Sequence, residues 1–369
     1  MNSKELTIKV FDDIHDVDLK KAWVKLQYEN DVFPQMHYEW MEPWVRLRFG
    51  KRKLHIVAVL EKDEIIAIAP FCIENKIGLK ILHTIPIHFG DFYSIISNES
   101  KEIIEVILEY LKSCINWSVV HFFNVNNKNT LSACLSNNKD FKERKVVDIH
   151  EANFDGLSFQ EYLLTLSKNT RGQYRNKWNR LSKKGDVKLE AITSSESYEL
   201  NTAEMNKIYN LRWKNDNIPL LTQAYYNMRN EAIKPYFDKK SAILYRLSLD
   251  DEAIAYRLGF LHNKTFFEWK VIYNPEYSYY SPGNLLVGKI IEDILPKGFN
   301  RFNFMTGDYR YKKSWVSEKN TSTNYEYLYA RRLSFGQYYV TYRLKYRESI
   351  KKAFYILKES NGNLLRKLK

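Results

Sequence analysis

The chain has 369 residues, of which 44% are hydrophobic and 27% are charged, and its formal net charge at pH 7 is +13. This composition is typical of a globular protein that is long enough to form two domains. No stretch is apolar enough for a transmembrane span, and the first residues lack the apolar run of a signal peptide.

The charge and the cysteines set further limits. The positive charge indicates either a polyanionic partner, such as phosphates, nucleic acid or an anionic membrane, or a compositional bias toward lysine. Cys72, Cys114 and Cys134 are isolated and odd in number, and the eight histidines show no metal-ligand spacing. These patterns argue against a disulfide framework or a zinc site, so we expect a cytoplasmic protein without a metal.

The first half alternates strands and helices. A strand over Leu6–Phe11 precedes two helical faces that carry Trp23 and Trp40. Residues 55–60 and 65–73 form a predicted hairpin. The remaining predicted elements of this half are extended segments at 80–84 and 93–96, a helix over Lys101–Ser113 and a strand over 118–125.

A cationic helical segment over residues 158–185 separates the two halves. Ser158 and Glu161 have the spacing of a capping box, which predicts a helix start. A second start signal falls at residues 169–170, and Gly185 is a typical C-terminal glycine.

Lys168, Arg171 and Arg175 lie on one face of the second helix in this segment. Two interpretations stay open for these cations. They bind phosphates, or they form a solvated face whose arginines cap neighbouring carbonyls.

The second half repeats the pattern of the first. Ala242–Leu249 and residues 253–261 form a predicted hairpin, and VLEKDEIIAIAP in the first half resembles LSLDDEAIAYRL here. Strands are predicted over 266–273 and 302–305, with a helix between them that begins at Ser281 and Pro282. If these strands are parallel neighbours, the helix N-terminus lies at the sheet edge and forms an anion site.

This recurrence predicts a mixed α/β (α+β) fold with two tandem units. We place the first domain at residues 1–150 and the second at 151–335. Residues 336–369 form a predicted basic amphipathic helix. That helix packs on the body of the protein, or makes a peripheral contact with an anionic membrane.

Several motifs, in their order, resemble GNAT-type acyltransferases of the cellulose- and exopolysaccharide-biosynthesis (CelD-like) group. They are FQEYLLTLSKNTRGQYRNKWNRLSKKG, YNPEYSYYSPGNLL and FMTGDYRYKKSW, together with FGDFYS in the first half. The sequence is also distantly similar to Fem-type peptidyl transferases, which have two GNAT-like domains. The resemblance implies a tandem GNAT fold, acetyl-CoA or another acyl-CoA as donor, and a role in polysaccharide biosynthesis.

The resemblance also implies where the donor binds. It assigns donor contacts to the strand with Trp269 and Lys270 and to the helix start, where Ser281-Pro282-Gly283-Asn284 replaces the usual Gln/Arg-x-x-Gly-x-Gly/Ala loop. Donor phosphate contacts are further expected from Lys312, Arg171 and Arg175, and acceptor contacts from Asp91 and Tyr93.

Acyl transfer to an amine needs a proton acceptor, stabilisation of the carbonyl oxygen and close positioning of the two reactants. Asp308 follows a strand end, where it acts as general base or is simply a turn residue after Gly307. Glu268 is the alternative base or an outer-face charge, and Tyr311 is the candidate to protonate the leaving thiolate.

Two classes of function therefore stay open. The first is an acyl-CoA-dependent N- or O-acyltransferase that acts on a sugar, an amino acid or a small amine. The second is a non-catalytic nucleic-acid-binding protein, although no binding motif is present. A Fem-like peptidyl transferase that uses aminoacyl-tRNA would combine the two.

Overall fold

The computed structural model describes residues 5–48, 50–76, 78–86, 89–214, 223–307, 309–316, 321–331 and 334–345. The described strands are β1 (Leu6–Phe11), β2 (Lys53–Glu61), β3 (Glu64–Lys76), β4 (Leu79–Thr84), β5 (Val119–Asn126), β6 (Lys142–Asn153), β7 (Val187–Ile192), β8 (Ala242–Leu249), β9 (Glu252–His262), β10 (Thr265–Tyr273), β11 (Arg301–Asn303) and β12 (Thr321–Ala330). They form a single sheet.

Helices cover both halves of this sheet. The described helices are α1 (Val17–Glu29), α2 (Tyr38–Arg48), α3 (Lys101–Ser113), α4 (Thr130–Asn137), α5 (Phe159–Thr165), α6 (Lys168–Ser182), α7 (Ser195–Lys214), α8 (Gln223–Asp238), α9 (Pro282–Ile294), α10 (Arg310–Ser314) and α11 (Gly336–Lys345). Within the described ranges, none of them combines the length and the apolar character that a membrane span requires.

The same order of elements occurs twice along the chain. Each unit has a strand, two helices, a hairpin of two strands, a fourth strand, a helix and a fifth strand. In both units the strands that flank the last helix are parallel neighbours, β4 with β5 and β10 with β11. The predicted fold class and the predicted repetition are therefore confirmed, as is the predicted parallel pair of β10 and β11, whereas the anion site beside it stays a prediction.

The last strand of each unit pairs with the other unit. β6 follows the first unit but pairs with β11, and β12 follows the second unit but pairs with β5. β6 and β12 also pair with each other. The described strands therefore run in the order β1-β2-β3-β4-β5-β12-β6-β11-β10-β9-β8-β7. The sequence did not indicate this exchange, which joins the two units into one continuous sheet.

An aromatic cluster fills the space between the two units. The ring of Trp40 lies 4.6 Å from that of Phe89 and 4.7 Å from that of Trp269, measured between centroids. Phe260 packs against Trp40 in the same cluster, and all four side chains are buried. Burial of these large aromatic rings stabilises the contact between the two units.

Several predicted boundaries differ from the structure. Residues 93–96 form only isolated bridges, because their backbone fills a gap beside β5 instead of extending a strand. The Ser158 capping box is present, but α6 is capped by Ser167 and ends before Gly185. β11 is shorter than predicted, and the predicted C-terminal helix is described only as far as Lys345, so residues 346–369 lie outside the described part.

Candidate active site

Strands β10 and β11 lie side by side over a short stretch and then separate. Their parallel pairing ends at Phe267 and Asn303, where β11 stops, whereas β10 continues to Tyr273. The C-terminal part of β10 borders a cleft of about 1010 Å³. Parallel strands that diverge at their carboxyl ends leave main-chain groups at the sheet edge, which is where α/β proteins place ligands.

A β-bulge lies at the point where the two strands separate. On β10, Glu268 pairs with Gly259 of β9 and Lys270 pairs with Leu258, so Trp269 is the extra residue. A bulge breaks the regular ladder and redirects the main chain of the bulged strand. Trp269 and Lys270 both line the cleft, and the donor contacts that the resemblance assigns to them stay a prediction.

A buried ion pair lies below the bulge. The guanidinium of Arg257 contacts the carboxylate of Glu268, and the two side chains are 0% and 4% exposed. The Tyr311 hydroxyl donates to Glu268 Oε1 at 2.8 Å, and Arg257 also donates to the Gly283 carbonyl. Glu268 therefore lies on the cleft wall with its carboxylate already engaged by two donors, and its role as a base stays a prediction.

The first turn of α9 faces this cleft. Ser281 has the N-cap position in a left-handed conformation with φ of 55°, and its side chain makes no capping hydrogen bond. Its carbonyl instead accepts from the N–H groups of Asn284 at 2.8 Å and Leu285 at 3.1 Å. The Asn284 side chain accepts from Trp315 Nε1 at 2.6 Å. The predicted donor residues at this turn all line the cleft, namely Ser281, Gly283 and Asn284.

Gly283 allows the helix start to lie directly against β10. A Cβ atom at this position would lie 3.3 Å from Val271 Cγ1 and 3.6 Å from Tyr273 Cδ1. The absence of a side chain therefore keeps α9 close to the open part of β10, and the anion-binding end of the helix borders the same cleft.

Lys312 has a structural role in addition to its place on the cleft wall. Its side chain is 2% exposed, and Nζ donates to the carbonyls of Phe304 at 2.6 Å and Thr306 at 2.7 Å. The expectation that Lys312 reaches the donor phosphate is not supported, because the ammonium group holds the chain that follows β11.

Asp308, the predicted general base, lies outside the described residues. Its neighbours Gly307 and Tyr309 are described, and Tyr309 lines the cleft. The catalytic role of Asp308 therefore stays a prediction from the sequence.

The predicted arginine face of α6 points away from the cleft. Arg171 Nη1 donates to the carbonyls of Leu164 at 3.0 Å and Leu166 at 2.5 Å, so it caps the end of α5. Arg175 is exposed, and neither arginine lines the cleft. For Arg171 the structural interpretation is the one observed, because the carbonyls at the end of α5 lie within its reach.

The neighbouring face of α6 supplies residues that sequence reasoning missed. Asn169 and Gln173 line the cleft, and Gln173 Nε2 donates to Asn169 Oδ1 at 3.1 Å. They are four residues apart and therefore share one face of the helix. These two residues lie between the cations of α6 in sequence, whereas the predicted binding face was based on the charged residues alone.

Asp91 brings the first unit into the site. Its Oδ1 atom accepts a hydrogen bond from the Thr306 hydroxyl of the second unit. Gln35 holds the same residue from the other side, because its Oε1 accepts from the Asp91 N–H at 2.6 Å. Asp91 lines the cleft, as expected for a residue that contacts the acceptor.

Tyr93, unlike Asp91, does not line the cleft. Its side chain is 2% exposed and packs against Phe71 and Phe122 in the core of the first unit. Burial raises the pKa of its hydroxyl well above the usual value. The expected acceptor contact of Tyr93 is therefore not supported, because its ring points into the apolar core.

A second cavity of about 400 Å³ adjoins the larger cleft. The two cavities share Asp91, Trp269, Lys270 and Thr306, which we call the throat residues. Burial alone would lower the pKa of Lys270, but the Tyr225 hydroxyl and the Asp91 carboxylate outweigh it and raise this pKa overall. Lys270 therefore carries a positive charge at the junction of the two cavities.

The corresponding gap in the first unit is filled by its own chain. β4 and β5 separate after His83 and His121. The Thr84 hydroxyl accepts from the Phe123 N–H at 3.0 Å, and the Asn124 carbonyl accepts from the Tyr93 N–H at 3.0 Å. These bonds occupy the main chain of β5, so the open strand edge lies in the second unit.

Comparisons with known proteins give a family match that falls mostly in the second half of the chain. Residues 168–313 match a family model described as an acetyltransferase (GNAT) domain. This range contains the open strands, the start of α9 and the residues that follow β11. No curated protein matches the chain.

Solved structures with a similar fold cover most of the chain. FemX matches with a TM-score of 0.58 and 11% identity, over 86% of this chain and 98% of FemX. The C-terminal domain of a putative lysylphosphatidylglycerol synthetase from Agrobacterium fabrum matches with a TM-score of 0.54 and 9% identity, over 84% of this chain and 90% of that domain. L-PGS from Bacillus licheniformis matches with a TM-score of 0.52 and 12% identity, over 90% of this chain and 97% of that one. The chain therefore shares the fold of FemX along most of its length, and its residues 168–313 match the GNAT acetyltransferase domain.

Proposed function

We propose that this protein is an acyltransferase that takes an acyl group from acetyl-CoA or another acyl-CoA and transfers it to a small acceptor. The observation that carries the proposal is the separation of β10 from β11 beside the start of α9. A thioester placed there would lie against the bulge at Trp269 and Lys270, whose main-chain N–H groups we assign as donors to its carbonyl oxygen. Such donors stabilise the negative charge that develops on the carbonyl oxygen during acyl transfer.

The start of α9, which lies against the open part of β10, suits the phosphates of the donor. The first turn of α9 directs its positive dipole end at the cleft, and Arg310 adds a cationic side chain to the lining. Pro282 has no N–H, and those of Asn284 and Leu285 bond to the Ser281 carbonyl. We therefore assign the phosphate contacts to the dipole end near Gly283 and to Arg310 together.

The reaction requires no covalent intermediate on the enzyme. The acceptor amine or hydroxyl attacks the thioester carbon, the C–S bond breaks, and coenzyme A leaves. Asp91 is a carboxylate at the throat that is placed to take the proton of the acceptor, and Asp308 remains the sequence-based alternative. Tyr311 directs its hydroxyl proton at Glu268, so the thiolate is protonated by solvent.

Calorimetric titration tests this proposal against the aminoacyl-tRNA alternative. We expect acetyl-CoA to bind with a dissociation constant on the order of 1–100 μM, in the range of ordinary substrates, and total tRNA to bind no more tightly than a scrambled RNA. Binding of charged tRNA without binding of acetyl-CoA would replace our proposal with the alternative.

A matched pair of variants locates the donor. Gln173→Glu adds a negative charge to the cleft wall and should weaken acetyl-CoA binding by about three- to tenfold at low salt, because the donor phosphates are repelled. Gln223→Glu makes the same change on α8, where the glutamine also bonds to an asparagine four residues away. Equal effects of the two variants would argue against donor binding in this cleft.

A further inference from the structure

The smaller cavity lies on the far side of the throat residues from the start of α9. It is lined by the first unit through Phe89 and Asn124, by β6 through Val146 and Val147, and by Tyr225 of α8. A donor in the larger cleft would present its acyl group at the throat, so the molecule in the smaller cavity meets the reacting carbon. This cavity is therefore the acceptor site of the proposed reaction.

Two opposite charges face this cavity. Asp91 accepts hydrogen bonds from Thr306 and Gln35, but a carboxylate offers about four acceptor positions. Lys270 interacts electrostatically with Asp91, and its Nζ lies 5.2 Å from the centroid of the Trp269 ring. Opposite charges that face one cavity without direct contact between them favour a ligand that supplies a complementary charge to each.

Apolar and aromatic side chains form much of the remaining wall, with Asn124 and Thr306 as polar members. Phe89 is 6% exposed and packs against Trp269 with 5.7 Å between ring centroids. Val146 and Val147 complete this side of the cavity. A volume of about 400 Å³ lies near the lower end for small-molecule sites, so the cavity suits a compact ligand with an apolar part.

We propose that the acceptor is a zwitterionic α-amino acid with an apolar side chain. Its amino group lies at Asp91, its carboxylate at Lys270, and its side chain against Phe89 and the two valines. This inference rests on the proposed function, since it assigns the acceptor of the same reaction.

The chemistry balances with an acyl-CoA as the only co-reactant. The ammonium group of the amino acid gives a proton to Asp91, and the free amine attacks the thioester carbon. The C–N bond forms, the C–S bond breaks, and the second amine proton passes to solvent while the coenzyme A thiolate takes a proton from solvent. The products are an N-acyl amino acid and coenzyme A.

An amino sugar fits these charges less well. Glucosamine has an amine for Asp91 but no anionic group for Lys270, and its ring is polar on most of its surface. The preference for the amino acid over glucosamine should therefore depend on the ligand carboxylate and on Lys270, so a comparison of the two ligands tests the assignment.

The test is calorimetric titration of the full protein with L-phenylalanine and L-leucine, with and without saturating coenzyme A. The matched probes are L-phenylalaninamide, which lacks the carboxylate, 3-phenylpropionate, which lacks the amine, and glucosamine. We expect an amino acid to bind at least tenfold more tightly than each of these three probes. An equal or tighter affinity for any of them, or the absence of amino-acid binding in both conditions, would overturn the assignment.

Variants connect each charge to one part of the ligand. Lys270→Met should remove the preference for L-phenylalanine over its amide, and Asp91→Asn should remove the preference over 3-phenylpropionate. Lys297→Met and Asp251→Asn make the same changes at exposed positions and should leave both preferences unchanged. Retained preferences in the throat variants would contradict the inference, whereas failure of coenzyme A itself to bind would count against the donor proposal alone.

Discussion

At the scale of single residues, Arg257 and Glu268 show how charge is used beneath the open strands. Both are almost fully buried, and Glu268 also accepts from Tyr311. Desolvation of two charges offsets much of their attraction, so the pair contributes little net stability. Its contacts instead connect β9, β10, α10 and, through the Gly283 carbonyl, the start of α9.

Removal of one member of this ion pair should destabilise the protein more than removal of both. Arg257→Met leaves a buried carboxylate without its cation and should lower the free energy of unfolding by about 3–5 kcal/mol in urea titrations. The double variant Arg257→Met with Glu268→Met should recover most of that loss. Lys188→Met, which breaks an exposed pair with Asp251, serves as the control and should change nothing measurable. A double variant as unstable as the single one would refute this account of the pair.

The site residues that were expected from the sequence show how much of a site can be predicted in this way. Trp269, Ser281 and Gly283 lie in the cleft, because strand and helix signals place them at a sheet edge. Lys312 and Arg171 were expected to bind phosphate, but they bond to main-chain carbonyls. The sequence does not distinguish a lysine or arginine that binds a ligand from one that bonds to a main-chain carbonyl, because tertiary packing decides which partner is close.

At the scale of elements, the contact between α6 and α9 fixes the helix that borders the cleft. A Cβ atom at Gly288 of α9 would lie 2.4 Å from Tyr174 Cε2 of α6. The Tyr174 ring is 6% exposed and also packs against Trp315, so it has little room to move. Gly172 of α6, by contrast, has no atom within 4 Å of its Cβ position.

One substitution at two glycines therefore has opposite expected effects. Gly172→Ala should raise the free energy of unfolding by about 0.5–1 kcal/mol, because alanine restricts the unfolded chain and suits a helix. Gly288→Ala should lower it by about 1–3 kcal/mol through overpacking. Urea denaturation of both variants measures the difference, and a stabilised Gly288→Ala protein would show that the two helices are less tightly packed than described.

Strand β12 was not predicted from the sequence, although its pairing with β5 and β6 helps to join the two units. Its inward positions include Ser322, Asn324 and Glu326, which are at most 8% exposed. Asn324 accepts from Asn126 at 2.9 Å, and Glu326 accepts from Arg343 Nε at 2.8 Å. Tyr325, Tyr327 and Tyr329 alternate in this segment, as is typical of a strand, but the buried positions named above are polar, so the pattern does not show which face lies inward.

At the scale of the whole molecule, the exchange of β6 and β12 sets the two units in a fixed relation. Each of these strands pairs with the other and with one strand of the opposite unit. Asp91 of the first unit therefore meets Thr306 of the second at the throat. The repetition of units was predictable from the order of elements, but the exchange depends on long-range pairing that no local pattern reports.

The difference between the two units leads to the most direct test of the account. In the first unit, the main chain of β5 is bonded to Thr84 and Tyr93, whereas in the second the edge of β10 borders the cleft. Hydrogen–deuterium exchange with and without saturating acetyl-CoA measures which edge binds the donor. We predict slower exchange at residues 268–273 and 281–286, with no change in β4 and β5. Slower exchange at β4 and β5, or no change at the start of α9, would contradict the account.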